Sequence, residues 1–139
     1  MAESFKLVDE GENFRLAIWA DVAYCQVWRR PDVSAAEGTR FAAVLMNALR
    51  TLLTDPDSPV PGIVFDVREA PAVSGPNTLA LLGELMSSWS LAGKRVAVVA
   101  RPAEQVEQMR QLVERHAHGH GQVVIDDVTV ALAFARSPI

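Results

Sequence analysis

The sequence predicts an α/β domain: a central, mostly parallel sheet, an N-terminal antiparallel hairpin and about four helices. Three observations predict it. Short, almost wholly apolar runs such as Ile63-Val64-Phe65-Asp66-Val67 and Arg95-Val96-Ala97-Val98-Val99-Ala100 read as strands buried on both faces. Between them lie longer stretches whose apolar residues recur every three or four positions, the period of an amphipathic helix. Ahead of them stand two runs rich in aromatic and β-branched residues, separated by a short gap.

Taken in order, Phe5-Lys6-Leu7-Val8 is a candidate edge strand or a frayed end. Phe14-Arg15-Leu16-Ala17-Ile18-Trp19 and Val22-Ala23-Tyr24-Cys25-Gln26-Val27-Trp28-Arg29-Arg30 form the two arms of the hairpin, although the residues between them are not a strong turn type. Ser34-Ala35-Ala36-Glu37 has the form of a capping box and opens a helix with Phe41, Val44, Leu45, Ala48, Leu49 and Leu52 on its apolar stripe. Pro56, Pro59 and Pro61 end that helix, because proline lacks the amide and clashes with the preceding turn. After the strand at 63–67, Pro76 suits the first turn of a second helix, striped by Leu79, Leu82, Leu85, Met86 and Trp89, and Gly93 suits its C-cap. A third helix, starting near Pro102, carries Val106, Met109, Leu112 and Val113 and runs to about His116. Gln122-Val123-Val124-Ile125 is the last strand, and Asp126 or Asp127 caps a closing helix through Phe134. No repeat or linker interrupts the chain, which reads as one domain over 1–139 with its core at 14–136.

The bulk numbers narrow the function classes. The chain has 139 residues, half of them hydrophobic, which is enough for a core without disulfides or metals. A net charge of -4 and scattered Lys and Arg argue against nucleic acid as a partner, which would call for a basic stripe. The single cysteine, Cys25, cannot form an internal disulfide, and it sits in a strand pattern where a buried thiol is the default. No signal-peptide pattern and no apolar run of membrane-spanning length is visible, so the expectation is a soluble, cytoplasmic protein without a membrane partner.

Few residue constellations point to chemistry. His116, His118 and His120 alternate in a Gly-containing loop and could offer imidazole to a metal, but no Cys or Glu at a recognised spacing completes a site; a solvated loop is the expectation, with no metal and no cofactor. Asp66 at a strand end invites comparison with a phosphorylated receiver aspartate. The residues after the later strands, Arg101-Pro102 and Asp126, do not supply the hydroxyl and lysine that such a site needs, so Asp66 reads as a structural cap. No nucleophile elbow or phosphate loop is present, and the chain is expected not to be an enzyme. The second helix carries one charge, Glu84, so it is either heavily buried or meets a partner with its outer face. Trp89, near Ser87, Ser88 and Ser90, is either core or a partly exposed interface anchor.

The order of elements also resembles the STAS family, the fold of bacterial anti-sigma-factor antagonists and of the cytoplasmic tails of sulfate transporters. The resemblance spans 14–136. Ile63-Val64-Phe65-Asp66-Val67 is similar to the family's strand ending in Asp-Leu, and Val73-Ser74-Gly75-Pro76-Asn77-Thr78-Leu79 to its Asp-Ser-Ser-Gly turn and Leu-rich helix. Leu91-Ala92-Gly93-Lys94-Arg95-Val96 and Ile125-Asp126-Asp127-Val128-Thr129-Val130-Ala131-Leu132 resemble its later signature passages. The resemblance implies a non-catalytic signalling module that binds a protein partner, such as an anti-sigma-like kinase or a second copy of itself. The implied surface is Ser74, Gly75, Pro76, Asn77, Thr78 and Trp89. Counted from Asp66, the family's turn aspartate falls on Ser74, its phosphorylated serine on Gly75 and its second serine on Pro76. Neither Gly nor Pro bears a hydroxyl, so the familiar phosphoserine switch is lost; Ser74, one residue away, is the candidate phosphorylation site or a simple helix cap. The same fold also implies an alternative, a sensor or carrier of a small ligand such as a nucleotide or lipid.

Overall fold

The computed structural model describes residues 5–28, 34–57, 59–70, 76–101 and 103–137. In chain order the elements are β1 (Phe5–Glu10), β2 (Phe14–Trp19), β3 (Val22–Trp28), α1 (Ala35–Thr54), β4 (Gly62–Glu69), α2 (Pro76–Leu91), β5 (Arg95–Ala100), α3 (Ala103–His116), β6 (Gly121–Ile125) and α4 (Val128–Arg136). All six strands lie in one sheet whose spatial order follows the sequence, β1-β2-β3-β4-β5-β6. The first two pairings are antiparallel and the remaining three parallel, so the fold is the mixed α/β sheet that the strand and helix patterns predict. The candidate edge segment is a true strand, longer than expected and extending to Glu10.

The β2–β3 hairpin turns on Ala20 and Asp21 alone, since Trp19 pairs with Val22. Both turn residues have positive φ, 52° and 68°, as a two-residue type I′ turn requires. Neither residue is the Asn or Gly that usually advertises that geometry, so the turn carries little signal in the sequence.

Each parallel crossover advances the sheet by one strand in the same direction, and this places α1, α2 and α3 side by side on one face. There they bury Leu49, Leu52, Leu85, Met86, Trp89, Val106, Met109 and Leu112 against Leu16, Cys25, Ile63, Phe65 and Val98. On α1 the register differs from the sequence expectation: Met46 is buried with Leu49 and Leu52, whereas Val44 is half exposed. α4 alone covers the opposite face, where Ala131, Leu132 and Ala135 pack on Val22, Tyr24, Val64, Ala97, Val99 and Val124.

The caps act as the sequence indicates. Ser34 Oγ accepts the Glu37 amide at 3.2 Å and donates to Glu37 Oε1 at 3.4 Å. Of the two candidate aspartates for α4, Asp127 is the cap, accepting the Val130 amide at 3.1 Å. Gly93 follows α2 with φ of 79°, a conformation that glycine adopts without the clash a Cβ would bring. No helix among the described residues is long and apolar enough to cross a membrane.

Candidate functional site

The carboxyl ends of β4, β5 and β6 lie along one end of the sheet, where open parallel sheets commonly bind their ligands. β4 ends here at Glu69, and the next element in the chain is α2, from Pro76. Two polar networks fasten the frame at this end, one on each face of the sheet.

On the α4 face the centre is Asp66, 1% exposed. A strand alternates its side chains, so Arg68, two residues on, shares its face, as does Tyr24 on the neighbouring strand. Asp66 Oδ2 accepts from Tyr24 Oη at 2.5 Å and from Arg68 Nη2 at 2.8 Å. Asp66 Oδ1 accepts from Arg68 Nε at 2.9 Å and from the Arg68 amide at 3.2 Å. The same guanidinium donates through Nη1 to Asp126 Oδ1 at 2.7 Å, and Arg101 Nε lies 3.4 Å from that oxygen. Arg68 therefore ties the end of β4 to the residue just after β6, reaching past β5. Asp126 holds a left-handed φ of 48° in making this contact.

Electrostatics follow from the geometry. Burial alone would push the Asp66 carboxyl up, but hydrogen bonds from Arg68 and Tyr24 outweigh it and hold the group below the usual carboxylate range. Burial, and then the hydrogen bond to Asp66, raises Tyr24 above the ordinary phenol value. Arg68, bonded first to Asp66, is a still more permanent cation, and its hydrogen bond lowers the Asp126 carboxyl. Cys25 lies on β3, fully buried in the core under the helices, and burial pushes its thiol up, away from the thiolate form.

On the helix face the fastening is Gln105, on the first turn of α3 and 1% exposed. Its Nε2 donates to the carbonyls of Val67 at 2.7 Å and Ala70 at 2.8 Å, while its Oε1 accepts the Arg101 amide at 2.9 Å. One side chain thus joins the last described residue before the connection, the end of β5 and the start of α3.

Of the site residues expected from sequence, Ser74 and Gly75 lie outside the described residues. Pro76, Asn77 and Thr78 form the first turn of α2. Trp89 does not join them. It sits thirteen residues further along α2 than Pro76, about 20 Å at the helical rise. It is 0% exposed, packed in the core with no surface to offer as an anchor. The low charge of α2 has the same cause: the helix is the middle one of three, flanked by α1 and α3. Sequence reasoning passed over Tyr24, Arg68, Gln105 and Asp126 as members of the site. The spacing of Asp66 and Arg68 on one strand was a readable signal, whereas Gln105 looks in sequence like an ordinary helix-surface residue.

His116 and His118 pack the end of α3 and the turn after it against α2. The His116 ring packs so closely on Gly83 that a Cβ there would come within 2.6 Å of Nε2. His118 Nε2 lies 3.1 Å from Ser87 Oγ. No group of three or more His, Cys, Asp or Glu suited to hold a metal ion occurs among the described residues. A groove of about 410 Å³ opens elsewhere at the same end of the sheet, lined by Glu10, Gly11, Glu12, Phe14, Arg40, Phe41 and Val44. No protein-family model matches the chain, and a search of curated proteins finds no match.

Proposed function

We propose that the chain is a STAS-like regulatory module, non-catalytic and of the anti-sigma-factor-antagonist type, that binds a signalling protein through residues 71–75 and the first turn of α2. The observation that carries this reading is the frame: Gln105 on one face and the pair of Asp66 and Arg68 on the other fasten the carboxyl end of β4 to its neighbours, just before the point where the chain runs on to α2. The most reactive-looking group of this end, Asp66, supports a structural role because four donors already occupy its carboxylate. With Gly75 and Pro76 at the positions where the family has hydroxyls, control falls to Ser74 or to the partner. The test is capture of partners from the native host with wild-type protein, Ser74→Asp and Leu91→Ser, the last altering an exposed residue at the far end of α2. A partner kept by wild type and Leu91→Ser but lost by Ser74→Asp supports the reading. Equal retention by all three overturns it.

The groove lined by Phe14, Phe41 and Val44 and edged by Glu10, Glu12 and Arg40 favours a second reading, a small-ligand sensor. A nucleotide or lipid carried through purification and seen by native mass spectrometry, and lost on Val44→Arg, would favour it over the first.

A further inference from the structure

We infer that β1 is a self-association edge: two copies pair antiparallel through Phe5–Glu10 across a two-fold axis, joining two six-stranded sheets into one. The inference is independent of the surface at the start of α2. Strand β1 is the outer strand of the sheet, and every one of its residues is exposed. An unpaired edge of this kind offers a row of amides and carbonyls to another strand. Three of its side chains are apolar and stand open to solvent, Phe5 at 50%, Leu7 at 51% and Val8 at 42%. Phe5 and Leu7 pair with Trp19 and Ala17 on the face that α4 covers over β3, β4, β5 and β6, and α4 does not reach β1 there; the Phe5 ring meets the Trp19 ring edge-on at 5.6 Å.

The occupant is specified by charge. Lys6 stands near the start of the strand, and Asp9 and Glu10 at its end. Lys6 pairs with Ile18 and Asp9 with Leu16, which places both on the helix-bearing face; the register shift between Leu7 and Asp9 is what brings residues three apart to one side. In the two-fold register that sets Lys6 of each copy opposite Asp9 of the other, two opposite-charge contacts form, Leu7 of each copy lies across from Val8 of the other, and Phe5 lies across from Glu10. Such a patch is complementary to itself, the condition for an isologous dimer, whereas parallel pairing would set Lys6 against Lys6. The other edge strand, β6, reads Gly-Gln-Val-Val-Ile and has no charge to specify a partner.

The test is sedimentation of untagged protein from about 1 µM to about 1 mM, a range that resolves weak dimers. Wild type is expected to dimerise. Lys6→Glu and Asp9→Lys each create two like-charge contacts and should weaken the dimer by about tenfold or more. An equimolar mixture of the two variants restores both opposite-charge contacts, Glu with Lys and Lys with Asp, and should recover the wild-type association. Both substitutions are at exposed positions, and far-UV circular dichroism checks that each variant keeps its fold. A monomer at all concentrations, single variants as tight as wild type, or a mixture no tighter than its components would each overturn the inference.

Discussion

At Asp66 a nearly inaccessible carboxylate keeps its charge because Tyr24 and Arg68 converge on it, and Arg68 in turn is shared with Asp126. The pH dependence has a definite sign. A carboxyl whose folded pKa is depressed contributes stability that is complete above the ordinary carboxylate range and is lost as pH falls through the folded value. Asp66→Asn removes one member of a buried pair and leaves Arg68 facing an amide, so it should cost about 3 kcal/mol near neutral pH. The gap between variant and wild type should narrow below about pH 4, where the unfolded carboxyl protonates. Chemical denaturation of both proteins at several pH values reads this directly; a gap that does not vary with pH would assign the cost to packing and not to charge. The sequence alone identified Asp66 as a strand-end cap, but the residue it caps against was hidden, because Tyr24 is distant in the chain and reaches Asp66 only through sheet register.

At the scale of elements, the strands and helices that periodicity and caps predict are present, the open case at Phe5–Val8 is a strand, and the informative departures are small. The β2–β3 turn is one: Ala20 and Asp21 occupy left-handed backbone, a region that favours glycine at the second position of such a turn. Asp21→Gly should therefore stabilise the protein by about 0.5 kcal/mol or more, seen as a higher denaturation midpoint with unchanged slope. An unchanged or lower midpoint would mean that the Asp21 side chain contributes more than its backbone costs. Gln105 is the other instructive case. A glutamine that reads as an ordinary helix-surface residue is invisible as a latch until the carbonyls of Val67 and Ala70, at and just after the end of β4, are seen beside it.

For the whole molecule, the order of elements and the two-sided sheet were legible because short buried strands alternating with amphipathic helices admit few arrangements. The layering of the helices was not, and this is why Trp89 could be read as an anchor. Only the three-helix layer shows that α2 lies between two neighbours and that its indole is enclosed, with Nε1 unpartnered among the described residues. Trp89→Ala should cost about 3–5 kcal/mol in unfolding experiments, whereas Trp89→Phe, which also removes the unpaired N–H, should cost about 1–2 kcal/mol and leave partner capture by the folded protein intact. Loss of capture in a folded Trp89→Phe protein would relocate the binding surface. The sequential strand order has a last consequence, for biosynthesis. Every strand docks on the one made just before it, so the sheet can be laid down strand by strand as the chain emerges from the ribosome. The apolar side chains of Val22, Val64, Ala97 and Val99, however, are covered among the described residues by α4, which follows all of them in the chain. One face of the sheet is thus covered as each crossover helix is made, while the other waits for α4.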